Sequence, residues 1–131
     1  MNGRFASILL LAAVGLLLLT AGCRKSAQQQ FASPSFLLES AIAGVDEMKV
    51  YLPRKDGNEL TRATAGMSGA LTKAVELVPS AEGKAKVQKA SDTYEKELRP
   101  AIMSLNYDPA TMIKKMDEIR ATLVEVSKEV K

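Results

Sequence analysis

The chain has 131 residues, a formal net charge of +3 at pH 7, one cysteine, no histidine and no tryptophan. Without histidine it lacks the usual general base, the commonest metal ligand and the usual haem ligand. A nearly neutral charge with few aromatic residues argues against nucleic-acid binding. Removal of residues 1–22 leaves about 109 residues, which is enough for one domain with a single hydrophobic core.

The first element is an apolar leader. Arg4 supplies a positive charge, and the segment 5–23 that follows reads FASILLLAAVGLLLLTAGC. A basic start, an apolar stretch and a small-residue cleavage site are the parts of a secretory signal peptide. The segment ends in Leu19-Thr20-Ala21-Gly22-Cys23, which resembles the lipobox of bacterial lipoproteins, although Thr20 stands where leucine is more usual.

The resemblance implies cleavage between Gly22 and Cys23, a diacylglyceryl thioether on Cys23 and acylation of the new amino group, typically with palmitate. Two or three acyl chains hold a protein stably to a bilayer. The resemblance thus implies a lipid anchor in a bacterial cell envelope. Arg24 stands where aspartate often signals inner-membrane retention, so the outer membrane is favoured, with the domain facing the periplasm or the surface.

Two other interpretations of the leader remain open. A stretch of about 17 apolar residues is at the lower limit for an uncleaved transmembrane helix, and the leader would also serve ordinary secretion. Residues 23–33 are polar and small, and we expect a flexible tether with a root-mean-square reach of about 15–20 Å. Arg24 and Lys25 would lie where anionic headgroups can attract them.

Two helices are expected next. Apolar residues at steps of three and four predict a helix over about 35–52, which Ser33 would cap ahead of Pro34, and a second over about 59–78. The intervening PRKDGN at 53–58 has the composition of a turn. The predicted core positions are Leu38, Ala41, Val45, Met48 and Leu52 in the first helix, and Leu60, Thr64, Met67, Leu71, Ala74 and Val78 in the second.

The third helix is predicted over 81–105, with Ser80 as its cap and a kink near Pro100, because proline removes a backbone hydrogen bond. The fourth is predicted over 109–130, with Asp108 as its cap. Expected core positions are Val87, Ala90, Ser91, Tyr94, Leu98, Ala101 and Leu105 in the third helix, and Met112, Met116, Ile119, Leu123, Val126 and Val130 in the fourth.

These segments and short joints predict an all-α domain over 34–131, an up-down-up-down antiparallel four-helix bundle. The alternative is an open pair of hairpins that dimerises to close its core. Charged residues on the last two helices predict solvated faces with weak local pairs, among them Asp117 with Arg120.

Small residues mark one candidate site. Gly44 on the first helix is expected to lie level with Gly66 and Met67 on the second, and Gly69 follows one turn later. Each glycine inside a helix lowers helix stability by about 1 kcal/mol relative to alanine, so glycine at these positions calls for a structural or functional explanation. Close packing of the two helices is the first interpretation, and a small-ligand cavity or a dimer face are the others.

Other side chains have ordinary structural interpretations. Methionine is a soft ligand that suits Cu(I), and Met112 and Met116 lie one turn apart, but methionine is also a common core filler. No metal site and no cofactor is therefore predicted. Tyr94 is expected to be a core aromatic whose hydroxyl reaches the bundle edge, and Tyr107 to lie in a loop as a potential contact residue.

The sequence contains no catalytic triad, no glycine-rich phosphate loop and no Glu-x-x-His pair for a di-iron bundle, so no enzyme is expected. The leading hypothesis is a lipid-anchored, non-enzymatic envelope protein that binds an envelope protein or component or has a structural role. The second is a periplasmic small-ligand or metal carrier using the glycine-lined or methionine-containing core. The third, a purely structural spacer, predicts self-association.

Overall fold

A computed structural model describes residues 33–131, and the predictions for the leader, Cys23 and residues 24–32 lie outside this part. The described chain forms α1 (Pro34–Tyr51), α2 (Gly57–Leu77), α3 and α4 (Pro109–Glu129). Helix α3 consists of an α-helix Ala81–Thr93, a π-helical turn Tyr94–Leu98 and an α-helix Arg99–Met103. Over the described residues there is no strand, and the predicted all-α four-helix fold is confirmed.

Each long helix begins at a capping side chain. Ser33, Asp56, Ser80 and Asp108 each accept a hydrogen bond from the backbone N–H three residues later. These bonds satisfy one of the donors that a helix start leaves without an intrahelical partner. Ser33, Ser80 and Asp108 were predicted as caps. Asp56 was not, and because it caps α2, this helix begins two residues earlier than predicted.

One hydrophobic core runs through the bundle. The periodicity predicted it well, because every predicted core position of α1 and α2 is buried. The same holds for α4 except Val130, which packs half-buried against the core. Burying one such side chain contributes about 1.5–3 kcal/mol. The largest fully buried side chains include Tyr94, Leu38, Met48, Leu71, Met116 and Leu123.

Two ion pairs show how α4 lies against α1. Asp46 and Lys49 on α1 pair with Arg120 and Asp117 on α4, at 2.9 Å and 2.6 Å. Residue numbers rise along α1 as they fall along α4, so these helices are antiparallel. The chain therefore closes its own core without the dimer of the open-hairpin alternative. Asp117 and Arg120 form their ion pairs with α1 and not with each other, although Asp46 and, to a smaller extent, Asp117 raise the pKa of Arg120.

Helix α3 departs from α-helical geometry just before Pro100, the region where an irregularity was predicted. No break occurs there, and the helix continues through a π-helical turn in which the Arg99 N–H bonds to the Tyr94 carbonyl, five residues earlier. Proline lacks an N–H and its ring clashes with the carbonyl of an ordinary α-turn, so a wider turn before Pro100 accommodates it.

The π-helical turn also changes which residues face inward. It holds one residue more than an α-turn, and the core position after Leu98 moves from Ala101 to Ile102, which is fully buried. Ala101 is half-buried. Leu105 is 36% exposed and has a φ of 56°, in the left-handed region. Ala101 packs against the edge of the core, whereas the prediction that Leu105 belongs to the core was wrong.

Candidate functional site

Only part of the predicted patch forms: Gly44 lies level with Met67, as predicted, but Gly66 and Gly69 face outward. A Cβ at Gly44 would lie 3.5 Å from the Cβ of Met67, so Met67 already fills the space in front of it. Gly66 and Gly69 are exposed, and a Cβ at either would meet no atom within 4 Å. The inward side of α2 passes through Met67, and its neighbour Gly66 points outward because successive helical residues turn by about 100°.

The methionines act mainly as core residues. Met48, Met67, Met112 and Met116 are buried among aliphatic side chains. Met103 is 47% exposed, and its sulfur accepts a hydrogen bond from the Thr64 hydroxyl at 3.5 Å. Within residues 33–131 no group of three or more His, Cys, Asp or Glu side chains is placed to hold a metal ion.

Tyr94 is more deeply buried than predicted. Its side chain is fully inaccessible, and its hydroxyl donates a 3.0 Å hydrogen bond to the carbonyl of Thr64 on α2 instead of reaching the bundle edge. Burial raises the pKa of Tyr94 well above its ordinary value. The residue therefore ties α2 to α3 and is not available to a ligand.

A half-open groove between α3 and α4 is the candidate site that the structure adds, and we call it the α3–α4 groove. Ala90 and Ile119, which are almost completely buried, form its floor. Its volume is about 370 Å³, within the range of about 300–1,000 Å³ typical of ligand sites. Its walls consist of Lys86, Lys89, Thr93 and Glu97 from α3, and Lys115, Glu118, Thr122 and Glu125 from α4.

Lys86 closes one end of the groove. Its ammonium lies 2.8 Å from Glu125 on α4 and 2.9 Å from Glu82 one turn earlier on α3. Contacts with Glu125 and Glu82 raise the pKa of Lys86, and the contact with Lys86 lowers the pKa of Glu82. Because these three charged groups pair with one another, they are less available to bind a ligand.

Four other charged groups of the groove have no ion-pair partner within residues 33–131: Lys89, Glu97, Lys115 and Glu118. Each wall carries one charge of each sign, and all four side chains are exposed. Sequence reasoning treated these residues as solvated faces. It missed the groove because the two walls are brought together only by packing of α3 against α4.

Helices α3 and α4 are antiparallel, because Gly83 of α3 lies beside the Glu129 carboxylate of α4 and Lys86 lies beside Glu125. Lys86 lies opposite Glu125, so Lys89 lies near the level of Thr122 and Glu97 near that of Lys115. Lys89 and Glu97 are eight residues apart on α3, and a rise of about 1.5 Å per residue separates them by about 12 Å along the groove.

Comparison with protein-family models, with curated proteins and with solved structures finds no match for the chain. No helix among residues 33–131 is both long enough and apolar enough to cross a membrane. Function is therefore inferred from the leader sequence together with the geometry of the bundle.

Proposed function

We propose that this chain is a lipid-anchored, non-enzymatic protein of a bacterial cell envelope that binds an envelope component through the α3–α4 groove. The observation that carries the proposal is Leu19-Thr20-Ala21-Gly22-Cys23 at the end of an apolar leader. The closed bundle supports a binding role, because its rigid core places a groove of ligand size on the surface.

The tether determines where such a domain works. After cleavage, acyl chains on Cys23 would hold the chain to the outer membrane, since each buried CH₂ contributes about 0.8 kcal/mol. About ten residues separate Cys23 from the cap of α1 at Ser33, a reach of about 15–20 Å. The bundle thus remains close to the bilayer, where it meets other envelope components at a high effective concentration.

The structure gives the carrier hypothesis less support. Met67 fills the space in front of Gly44, and Gly66 and Gly69 face outward. The predicted ligand region between α1 and α2 is therefore packed. A structural spacer would have to associate with itself, so a compact monomer in sedimentation of the full chain in detergent would count against it.

The anchor is tested by expressing the full chain in bacteria with radioactive palmitate. We expect label on the natural chain and none on Cys23→Ser, because the thioether needs the sulfur. Thr20→Leu is the matched control: it supplies the residue more usual in a lipobox and should retain the label. Label that persists in Cys23→Ser, or a mature product with an intact Met1 and a free thiol, would overturn the proposal.

A further inference from the structure

The charge arrangement of the α3–α4 groove restricts its ligand. Lys89 has no ion-pair partner among residues 33–131, and Glu125 on the facing wall pairs with Lys86. Further along the groove, the carboxylates of Glu118 and Glu97 outnumber the ammonium of Lys115. A ligand with charge of one sign would be attracted at one end and repelled at the other, whereas a ligand with both signs satisfies both ends.

The dimensions of the groove restrict the ligand further. An α-helix advances only about 1.5 Å per residue, so a helical ligand would need about eight residues to span the distance from Lys89 to Glu97. An extended chain advances about 3.3–3.6 Å per residue. Three to four residues therefore span the distance from Lys89 to Glu97. The near-apolar floor of Ala90 and Ile119 suits small side chains.

We infer that the α3–α4 groove binds a short zwitterionic peptide in extended form, with its terminal carboxylate at Lys89 and its terminal ammonium at Glu97. The hydroxyl of Thr93 lies between these ends and offers a hydrogen bond to the peptide backbone, while Thr122 stands near the level of Lys89. This inference rests on the proposed function, because it names the ligand class for the groove through which the protein is proposed to bind.

Calorimetric titration of the full chain in a non-ionic detergent tests the ligand class. The probes are tetra-alanine, its N-acetyl derivative, which lacks the ammonium, and its C-terminal amide, which lacks the carboxylate. We expect tetra-alanine to bind about tenfold more tightly than either derivative, since each blocked end loses one charge-assisted contact. Equal affinity for the three peptides, or no binding of tetra-alanine at millimolar concentration, would overturn the inference.

Two variants test the orientation. Lys89→Gln should weaken binding of tetra-alanine about tenfold and leave the affinity for the amide unchanged, because the amide has no carboxylate to lose. Glu97→Gln should weaken binding of tetra-alanine similarly and leave the affinity for the N-acetyl peptide unchanged. The reverse pattern would overturn the orientation, and equal effects on all peptides would overturn the site.

Lys84→Gln is the matched control, since Lys84 is an exposed lysine of α3 outside the groove. It should bind tetra-alanine as the natural chain does, and a loss equal to that of Lys89→Gln would show non-specific attraction and overturn the site. Loss of the fatty-acid label with peptide binding intact would refute the anchor alone. Intact labelling without peptide binding would refute the ligand class alone.

Discussion

The hydroxyl of Tyr107 donates a 2.7 Å hydrogen bond to the carbonyl of Leu52, and so joins the loop before α4 to the end of α1. Lys55 reinforces the junction: its ammonium donates to the Leu105 carbonyl at 3.3 Å and lies 5.1 Å from the centre of the Tyr107 ring. Partial burial raises the pKa of Tyr107. The residue expected to be a contact for a partner therefore has a structural role between two loops.

Tyr107→Phe should lower the free energy of unfolding by about 1 kcal/mol, because it removes one partly buried hydrogen bond and retains the ring. Urea denaturation measures the change. Tyr51→Phe is the control, since the Tyr51 hydroxyl makes no hydrogen bond to another residue within 33–131, and it should change stability little. Equal changes in the free energy of unfolding for the two variants would show that the hydrogen bond from Tyr107 to Leu52 does not stabilise the fold.

The outward-facing glycines are predicted to weaken α2. Gly66→Ala and Gly69→Ala should each raise the free energy of unfolding by up to about 1 kcal/mol, because alanine has the higher helix propensity and its Cβ meets no atom. Gly83→Ala should do the opposite, since its Cβ would lie 2.6 Å from the Ser80 hydroxyl that caps α3. Thermal unfolding of the three variants would show the opposite signs, and a destabilised Gly66→Ala would refute the outward placement.

Leu105 occupies a backbone conformation that favours glycine. It follows the end of α3 with a φ of 56°, while the Asn106 N–H bonds to the Ala101 carbonyl, as in a Schellman motif. Leu105→Gly should raise the free energy of unfolding by about 1 kcal/mol, because a left-handed leucine is strained by about that amount.

The comparable variant is Leu77→Gly, which places glycine at an exposed leucine, the last residue of α2. It should lower the free energy of unfolding by up to about 1 kcal/mol. Denaturant curves for the two variants give the signs directly. If both substitutions destabilise equally, packing of Leu105 beside Gly57 outweighs the backbone strain.

Asp108 makes the start of α4 sensitive to acid. The backbone N–H and the hydroxyl of Thr111 donate to its carboxylate, and these bonds, with a smaller effect of Lys55, lower the pKa of Asp108 below its ordinary 3.8. Folding then favours the ionised form. Its stabilising effect is present above the unfolded-state pKa and is lost as the pH falls through the lower folded-state value.

Asp108→Asn should retain the cap, because asparagine caps helices about as well as aspartate, and should remove the titration. The natural chain should therefore lose stability relative to this variant as the pH falls below about 4. Urea denaturation at neutral pH and at about pH 3 measures the difference in unfolding free energy. A difference that stays constant over this range would refute the prediction.

The features predicted correctly from the sequence are those that depend on residues only a few positions apart in the chain. The core positions Leu38, Met67 and Leu123 and the caps Ser80 and Asp108 follow from patterns within a few residues, and the structure has them as predicted. Periodicity could not show the π-helical turn at Tyr94–Leu98, because a single extra residue per turn leaves the apolar spacing almost unchanged.

The amino-acid sequence alone determined the helix positions, most of their capping residues and the apolar leader, because these depend on hydrogen bonds and apolar spacing along one segment. Tertiary structure decided which charges pair across helices, which glycines face outward and where a groove opens. Those properties join residues far apart in the chain, such as Asp46 with Arg120 and Lys86 with Glu125. Their relative heights are set by how the helices pack against one another, which no local pattern encodes.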